Sequence, residues 1–395
     1  MSRILLLADA GTHSGFATVT ESIFGRLVTD YGHDVHVLAA NYRGDYWDSP
    51  LKLYVANRDE DRDIIGMSRI VRMLGDLMPD VVCFIQDPKV VLNALLANPW
   101  DRENVLWRGM KLEGTRFSYK PPILAYLAID GYENPRMWDK LAERVTRIAM
   151  SEHGRAAMPE APVIWHGVDT TVFHPRDKRE AKAALGLDPD RFLVLRVDKN
   201  SWRKDYPSSW KALAPVLRRH PDIDVHFHCR DNAADGYDLT AVRWNDEDVR
   251  DRVTFTADLG GYLGWPQERL ALLYASADMF LSTSWGEGFS LTNLESLACG
   301  TPVLAQDCSA LTEVVGPGGI LVKPAGRITV PMGQQQCLPD IDKFTYWIER
   351  LYESPKVRAG LAAAGIAHAA QFSWDIAAQK FDKLIREQVE ANRPE

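Results

Sequence analysis

Two glutamates lie on either side of a predicted helix start, in a turn rich in glycine. Glu287 and Glu295 have seven residues between them, and the apolar stretch Met279–Ser282 before them has the length of a buried strand. Glycines such as Gly288 let the backbone approach a ligand closely. A helix predicted to begin near Leu291 points its free N–H groups and its positive dipole end at the turn. This arrangement predicts an anion site with two carboxylates in reach.

A cluster of cations begins near the end of an earlier predicted strand, Phe192–Val197, and continues into the loop after it. It comprises Arg196, Lys199, Arg203 and Lys204. Positively charged side chains can stabilise the negative charge of a bound anion. Arginine binds such a group as a fork, whereas lysine acts as a point charge. The two charged segments together predict a site for a phosphorylated ligand.

Two further candidates lie near strand ends in the first half of the chain. The loop Asp9–Ala17 joins a predicted strand to an amphipathic helix and contains Gly15. Asp130 follows the predicted strand Ile123–Ile129, at the carboxyl edge where ligands bind in open α/β sheets. An Asp-Gly pair is also an ordinary turn signal, so Asp130 has two interpretations, a site residue or a turn residue.

Apolar stretches of strand length alternate with amphipathic helical stretches along most of the chain. This pattern is typical of parallel sheets with helices on both faces. It restarts after Pro162–Asp169, where proline and glycine mark a linker. A chain of 395 residues, of which 46% are hydrophobic, is long enough for two cores. The predicted strands are Ile4–Leu7, Val35–Leu38, Val81–Ile85, Ile123–Ile129, Arg147–Met150, Phe192–Val197, Asp224–His228, Val253–Thr256, Met279–Ser282, Pro302–Ala305 and Gly319–Val322.

The residues around the two glutamates resemble a known signature. Glu-Gly-Phe at 287–289, Leu-Thr at 291–292, Glu295 and Ala-Cys-Gly-Thr-Pro-Val at 298–303 are similar to the donor-binding signature of the family-4 retaining glycosyltransferases, the glycosyl transferases group 1. The resemblance implies that Glu287 contacts hydroxyls of the donor sugar and that Glu295 binds the ribose hydroxyls of the nucleotide. The diphosphate would be held by the amides of Phe289, Ser290, Leu291 and Thr292.

Matches and departures in other segments extend the resemblance over nearly the whole chain. Lys204 matches a family lysine, whereas the position of the family's arginine falls on Lys199. Arg196 and Arg203 compete with Lys199 for that role. Many members have a histidine that faces the donor sugar where this chain has Asp130. The resemblance therefore makes Lys204, Lys199 and Asp130 catalytic candidates and the two arginines donor-binding candidates.

Several residues carry weaker predictions. Gly15 and Gly288 are donor-binding candidates through their backbone. Glu313 matches a family glutamate beside the nucleotide, and a plain acid on a helix surface is the equal alternative. Core packing is the commoner role of tryptophan, but its ring also stacks on sugars and bases. The tryptophans considered for such stacking are Trp107, Trp138, Trp265 and Trp285.

The resemblance implies an α/β chain of the GT-B fold, with two facing Rossmann-like domains. The predicted domains are residues 1–165 on the acceptor side and 166–372 on the donor side, and a terminal helix in 373–395 crosses back to the first domain. The implied enzyme is a retaining hexosyl- or pentosyltransferase that uses a UDP- or GDP-linked sugar by front-face substitution, without a metal or other cofactor. The alternatives are an epimerase or phosphorylase of the same fold, or a non-catalytic module that binds nucleotide sugar or nucleic acid.

The composition indicates which binding partners and which cell compartment are expected for the protein. A net charge of −8 disfavours nucleic acid, although the stretch Arg102–Lys120 is basic and aromatic with acids interspersed. No stretch approaches the roughly eighteen apolar residues of a membrane span, and five cysteines without a C-x-x-C pair fit a reducing cytoplasm. The sequence leaves open the donor sugar, its base and the oligomeric state. The acceptor stays open among a protein, a lipid, a small glycoside and a modified nucleobase.

Overall fold

The computed structural model describes residues 1–56, 66–96, 110–111, 118–256 and 264–393. By its contacts the chain divides into two units. The first comprises Met1–Ile129, Asn134–Gly167 and Trp374–Glu395, and the second comprises Asp130–Glu133 and Val168–Ser373. The sequence pattern did not predict that the short segment Asp130–Glu133 counts with the second unit.

The elements follow the alternating order that the sequence predicts. In chain order the described strands are β1 (Arg3–Ala8), β2 (Asp34–Ala39), β3 (Lys52–Val55), β4 (Val81–Gln86), β5 (Met110–Lys111), β6 (Ser118–Tyr119), β7 (Ile123–Leu127), β8 (Thr146–Ala149), β9 (Phe192–Val197), β10 (Ile223–His228), β11 (Val253–Phe255), β12 (Met279–Ser282), β13 (Val303–Gln306), β14 (Gly319–Val322), β15 (Gly326–Thr329) and β16 (Gln335–Leu338). The described α-helices are α1 (Gly15–Thr29), α2 (Met67–Leu77), α3 (Pro88–Leu96), α4 (Glu152–Ala157), α5 (Lys178–Ala184), α6 (Tyr206–Arg219), α7 (Leu239–Val242), α8 (Gln267–Ser276), α9 (Leu291–Ala298), α10 (Leu311–Val315), α11 (Ile341–Glu353), α12 (Pro355–Ala369) and α13 (Trp374–Ala391).

In the first unit, parallel strands form a six-stranded sheet in the order β3-β2-β1-β4-β7-β8. Ile4 in the central strand β1 pairs with Val35 on one side and with Val81 on the other. All four side chains from Ile4 to Leu7 are fully buried. Strands that are covered on both faces read as continuous apolar runs, which is why the sequence reveals them clearly. The edge strand β3, Lys-Leu-Tyr-Val, is only partly buried, and the sequence pattern did not predict it.

In the second unit, a second six-stranded parallel sheet has the order β11-β10-β9-β12-β13-β14. Its strands β9 and β12 are neighbours, with Met279 paired to Val194 and Phe280 to Leu195. The carboxyl ends of adjacent parallel strands meet at one edge of a sheet. The cationic loop after β9 and the glycine-rich turn after β12 therefore emerge side by side.

The last helix of the chain, α13, belongs to the first unit, as the fold prediction requires. It packs along α1, where the rings of Phe381 and Phe24 lie 5.5 Å apart. Asp382 of α13 also accepts a 2.8 Å hydrogen bond from the ring of His33. Apolar contact and a polar anchor together join the two ends of the chain into one unit.

An antiparallel hairpin, β15–β16, leaves the second sheet between β14 and α11. The segment Asp130–Glu133 pairs with this hairpin, since Tyr132 and Gln335 exchange two backbone hydrogen bonds of 2.7 Å. The alternating pattern of the sequence predicts neither the hairpin nor the pairing. The hairpin thereby holds Asp130 within the second unit.

The structure bears only in part on two predictions made from composition, the basic stretch and the absence of a membrane span. Most of the basic stretch Arg102–Lys120, with Trp107, lies outside the described residues. Across the described ranges, no helix combines the length and the apolar character that crossing a bilayer requires.

Candidate functional site

The turn after β12 ends in an unusual residue at the start of α9. Ser290 precedes the helix with φ 92° and ψ 77°, in the left-handed region that non-glycine residues rarely adopt. Its side chain does not cap the helix, and its Oγ accepts a 2.6 Å hydrogen bond from Nδ2 of Asn293 instead. The first-turn N–H groups therefore lack the usual serine cap. An anion at this helix end would meet those donors and the positive end of the dipole.

Gly286 in the same turn lies directly against the backbone of Asp130. A Cβ atom at Gly286 would stand 1.8 Å from the carbonyl oxygen of Asp130, far inside any contact distance. Only glycine fits such a close approach of two backbone segments. The contact fixes where the next residue, Glu287, leaves the turn.

Glu287 lies at the centre of a charged cluster in the second unit. Its Oε1 is 2.7 Å from Nζ of Lys204, and its Oε2 is 2.8 Å from Nη1 of Arg203. Its backbone N–H donates a 2.8 Å hydrogen bond to Oγ of Ser309. Burial would raise the pKa of Glu287, but the charges of the two cations outweigh burial and lower the pKa to about 2. Glu287 is therefore a carboxylate with both oxygens engaged by cations.

Each of the two cations also contacts a second carboxylate. Lys204 Nζ lies 2.6 Å from Oδ1 of Asp198, at the end of β9. Arg203 Nε lies 3.3 Å from Oδ2 of Asp130, and its Nη1 donates to the carbonyl of Gly286. Burial would lower the pKa of Arg203, yet the negative charges of Glu287 and Asp130 raise it. The cluster thus holds two positive side chains, already ordered, at the edge of the sheet beside the α9 terminus.

Two residues that were predicted to contact the diphosphate, Arg196 and Lys199, have other partners within the protein. Arg196 is completely buried, and its guanidinium bonds Asp198, Ser209 and Thr283 and the carbonyl of Lys204. It also stacks over the ring of Tyr206, with its Cζ 4.1 Å from the centroid. The guanidinium of Arg196 is therefore occupied within the protein, and its role in donor binding stays a prediction. The bonds of Arg196 brace the loop that carries Lys204.

Lys199 lies at the surface, away from Glu287. Its side chain is 74% exposed, and its Nζ pairs with Asp235 at 2.5 Å. The three candidates for the arginine role thus separate into one buried cation, one exposed cation and one that contacts Glu287. Arg203 is the candidate that the structure brings beside Lys204.

Glu295 lies one turn into α9, where α8 packs against it. Its Oε2 accepts a 2.9 Å hydrogen bond from the hydroxyl of Tyr274. Burial raises the pKa of Glu295 to about 7, although the tyrosine hydrogen bond acts in the opposite direction. Its environment therefore differs from that of Glu287, because no cation among the described residues offsets its burial.

Both burial and neighbouring charges shift the pKa of Asp130. Burial raises the pKa of its carboxyl, the charge of Arg203 lowers it and the charge of Glu287 raises it again, with a net upward shift. Its Oδ1 accepts a hydrogen bond from Nε2 of Gln334 in the hairpin. Of the two interpretations from the sequence, the structure places Asp130 in the charged cluster rather than in an isolated turn.

The remaining candidates lie outside this cluster. Gly15 begins α1 in the first unit, after Ser14, which caps the helix through a 3.1 Å bond from the N–H of Ala17. Glu313 lies in the first turn of α10. Three of the considered tryptophans are engaged within the protein: Trp138 in the core of the first unit, Trp265 beneath Arg269, and Trp285 through a 2.7 Å hydrogen bond to Asp205.

Sequence reasoning missed three residues that shape the cluster. Asp198 directly follows β9, so its place at a carboxyl edge was a usable signal. Ser309 has φ 48° and accepts from the N–H of Glu287, and Gln334 holds Asp130. Neither stands in a motif, because each reaches the cluster only through long-range packing.

Known proteins share both the second unit's sequence and the fold. Residues 193–330 match the family described as glycosyl transferases group 1. The D-inositol 3-phosphate glycosyltransferase of Segniliparus rotundus is 29% identical over 238 residues, which cover 58% of this chain and 47% of that protein. The protein of the same name from Acidothermus cellulolyticus is 32% identical over 222 residues, covering 54% and 45%. The chain thus spans about half the length of the curated relatives it matches.

Solved structures match over almost the whole chain. Sucrose-phosphate synthase from Thermosynechococcus elongatus has a TM-score of 0.71 at 18% identity, with 99% of this chain and 100% of that chain covered. Anabaena HepE in complex with UDP-glucose has a TM-score of 0.69 at 17% identity, with 98% and 100% covered. The predicted fold is confirmed: the chain has the two-domain α/β GT-B fold of these solved structures, and its residues 193–330 are similar to the glycosyl transferases group 1.

Proposed function

We propose that the protein is a retaining glycosyltransferase that moves a sugar from a UDP- or GDP-linked donor to an acceptor by front-face substitution. The observation that carries the proposal is the cluster in which Glu287 orders Lys204 and Arg203 beside the uncapped start of α9. The names of the curated relatives, and the UDP-glucose complex of HepE, support a nucleotide-sugar donor.

The donor diphosphate would lie at the α9 terminus, with its charge facing Lys204 and Arg203. Their positions are set before binding, because Asp198, Glu287 and Asp130 already hold them. Preorganised charges stabilise a developing anion without reorganising during the reaction. Leaving-group stabilisation would therefore be the main contribution of this cluster.

Glu295 would accept hydrogen bonds from the ribose hydroxyls of the donor. It lies one turn from the helix end that would hold the diphosphate, and Tyr274 orients one of its oxygens. A half-buried carboxylate without a cation partner suits a neutral diol, because hydroxyl donors restore the solvation that burial removed. This assignment separates its role from that of Glu287.

Retention would proceed on one face of the sugar. A double displacement needs a carboxylate free to attack the anomeric carbon, but both oxygens of Glu287 are engaged by cations. In the proposed step the acceptor hydroxyl attacks as the diphosphate leaves, and the leaving phosphate oxygen takes the acceptor's proton. The protein contributes position and charge, and no metal takes part.

A donor screen followed by a transfer assay tests the proposal. UDP- and GDP-linked sugars are screened for a rise in the thermal unfolding midpoint, since a ligand of the native state stabilises it. The stabilising donor is then incubated with protein, lipid, glycoside and modified-nucleobase acceptors, with and without a chelator. Release of nucleoside diphosphate and a retained anomeric configuration are expected in both conditions.

Three results would contradict parts of the proposal. An inverted product would overturn the front-face mechanism, and loss of transfer with the chelator would overturn metal independence. Binding of a donor without release of nucleoside diphosphate for any acceptor class would make the protein a binding module.

A further inference from the structure

The hairpin β15–β16 packs against the segment Asp130–Glu133 and holds it in place. Besides the two backbone bonds between Tyr132 and Gln335, the hydroxyl of Tyr132 accepts a 2.7 Å bond from the N–H of Ser309. Arg327 of β15 lies over the Tyr132 ring, with its Cζ 3.8 Å from the centroid. The segment is therefore held by its backbone, its hydroxyl and its ring.

Close backbone packing removes the remaining freedom of this segment. A Cβ atom at Gly131 would stand 2.7 Å from Cγ of Gln334 and 2.7 Å from the carbonyl oxygen of Gln335. On the other side, the carbonyl of Asp130 abuts Gly286. Asp130 is thus wedged between the hairpin and the turn that bears Glu287.

The carboxyl of Asp130 is held by Arg203 on one side and by two glutamine amides of the hairpin, Gln334 and Gln336, on the other. Arg203 Nε lies 3.3 Å from Oδ2, and Nε2 of Gln334 donates to Oδ1. Gln334 is 1% exposed, and its other amide atom, Oε1, is buried without a hydrogen-bond partner among the described residues. Leaving a buried amide oxygen unpaired is unfavourable, so the orientation is one that the bond to Asp130 dictates.

We infer that Gln334 is a positioning residue of the donor site, which holds the Asp130 carboxyl against Arg203 so that Arg203 stays beside Glu287. The inference rests on the proposed function for its consequence, the binding of donor diphosphate. Asp130 and Gln334 both lie outside residues 193–330, the stretch that matches the family. The contact between Asp130 and Gln334 is therefore not part of the stretch that matches the family.

The charged groups that face Asp130 come from two loops. Arg203 lies in the loop after β9 and Glu287 in the turn after β12. The hairpin presents the uncharged amides of Gln334 and Gln336 to this carboxyl. Without the hydrogen bond that Gln334 donates, the ionised carboxylate of Asp130 is less stabilised. Asp130 then takes up a proton at a higher pH than in the unaltered protein. A neutral Asp130 no longer attracts Arg203.

The test compares Gln334→Leu with a matched variant in the same hairpin, Gln335→Leu. Gln335 is the next residue, but its side chain bonds Glu133 at 2.8 Å instead of Asp130. Affinity for UDP and for GDP is measured by calorimetry from about pH 5 to about pH 8. The acid side of the affinity profile should move to higher pH in Gln334→Leu. It should stay in place in Gln335→Leu. Asp130→Asn should lose the contribution of Asp130 to the acid side and leave that of Glu295.

Infrared titration gives a readout that needs no nucleotide. The band of the protonated Asp130 carboxyl is identified by its loss in Asp130→Asn and followed with pH in the ligand-free protein. Its midpoint should rise in Gln334→Leu and rise further in the isosteric Gln334→Glu, which places a negative charge beside the carboxyl.

The infrared midpoint and the affinity profile together support or overturn the inference. An unchanged infrared midpoint in both Gln334 variants overturns the inference. A shifted midpoint with an unchanged affinity profile shows that Gln334 tunes Asp130 without positioning the site, which also overturns it. If neither UDP nor GDP binds the unaltered protein, the proposed donor site fails, while the infrared midpoint still judges the action of Gln334 on Asp130.

Discussion

Glu287 and Glu295 are the same residue type in opposite surroundings. Two cations engage Glu287 and hold its pKa at about 2, whereas burial raises the pKa of Glu295 to about 7. The signature alone treats them as a pair at fixed spacing. Their neighbours give them different chemistry, and substitutions at the two positions should fail in different ways.

Replacing each glutamate by glutamine tests this difference. Glu287→Gln should lower kcat by about one to three orders of magnitude while UDP or GDP still binds, because the cations it orders act on charge that develops in the transition state. Glu295→Gln should chiefly raise KM, because ribose hydroxyls are unchanged between ground state and transition state. Steady-state kinetics with the identified donor and nucleotide calorimetry measure both effects. Full turnover of Glu287→Gln would contradict the donor-site assignment.

The raised pKa of Glu295 also predicts a pH dependence. The carboxylate accepts hydroxyl hydrogen bonds better than the protonated acid, so affinity for the bare nucleoside should fall as the pH drops below about 7. Nucleoside calorimetry at several pH values measures this, and Glu295→Gln should show a flat profile. A nucleoside affinity that rises toward acid pH would show that the protonated form binds.

Lys204 should act on the diphosphate rather than on the base or ribose. Lys204→Ala removes a charge that lies 2.7 Å from Glu287, and it should weaken UDP or GDP binding about tenfold or more, with little change for the nucleoside. Lys211→Ala, which removes an exposed lysine from α6, is the matched control. Equal losses for nucleotide and nucleoside would indicate a structural role for Lys204.

The turn between β12 and α9 depends on a glycine for its packing. Its backbone meets the segment Asp130–Glu133 so closely that Gly286 has no room for a side chain. The hairpin holds the same segment from its other side. These elements are positioned by backbone contacts, which local propensity does not encode.

Gly286→Ala should therefore destabilise the protein by about 1–3 kcal/mol and reduce donor affinity, because the added methyl displaces either Asp130 or Glu287. Gly360→Ala in α12 is the matched control, since nothing lies near its Cβ position. That change should stabilise the helix by up to about 1 kcal/mol. Denaturant unfolding compares the two, and equal stability changes would contradict the packing argument.

The first unit is closed by the last helix of the chain. Phe381 of α13 is 1% exposed and packs its ring against Phe24 at 5.5 Å and against Tyr126 at 5.1 Å. The unit therefore needs residues from both ends of the chain. Its stability depends on α13 although the first sheet precedes it by more than two hundred residues.

Phe381→Ala should lower the free energy of unfolding of the first unit by about 3–5 kcal/mol, because it opens a cavity at the α1–α13 contact. Ile376→Ala on the same helix removes a side chain that is 49% exposed, and it should change stability far less. Denaturant titration of the full chain, followed by hydrogen exchange in α1, measures both. A large effect of Ile376→Ala alone would show that a different face of α13 carries the contact.

Local patterns in the sequence predicted most of the architecture. Buried parallel strands such as β1 and β9 read as continuous apolar runs, because helices cover both of their faces. The anion turn was predictable for a similar reason, since glycines, a helix start and the spacing of Glu287 and Glu295 are all neighbours in the chain. Side-by-side loops at one sheet edge follow from parallel topology.

Only the tertiary structure decided which charges meet. Arg196, Lys199 and Arg203 are nearly adjacent in sequence, yet one is buried, one is exposed and one contacts Glu287. Their directions depend on packing around each side chain, which a motif does not contain. Asp130 and Gln334, 204 positions apart, meet through a hairpin that no periodic pattern announces. The sequence determined the sheets and the glycine-rich turn because those signals are local, whereas the charge network came from contacts between distant segments.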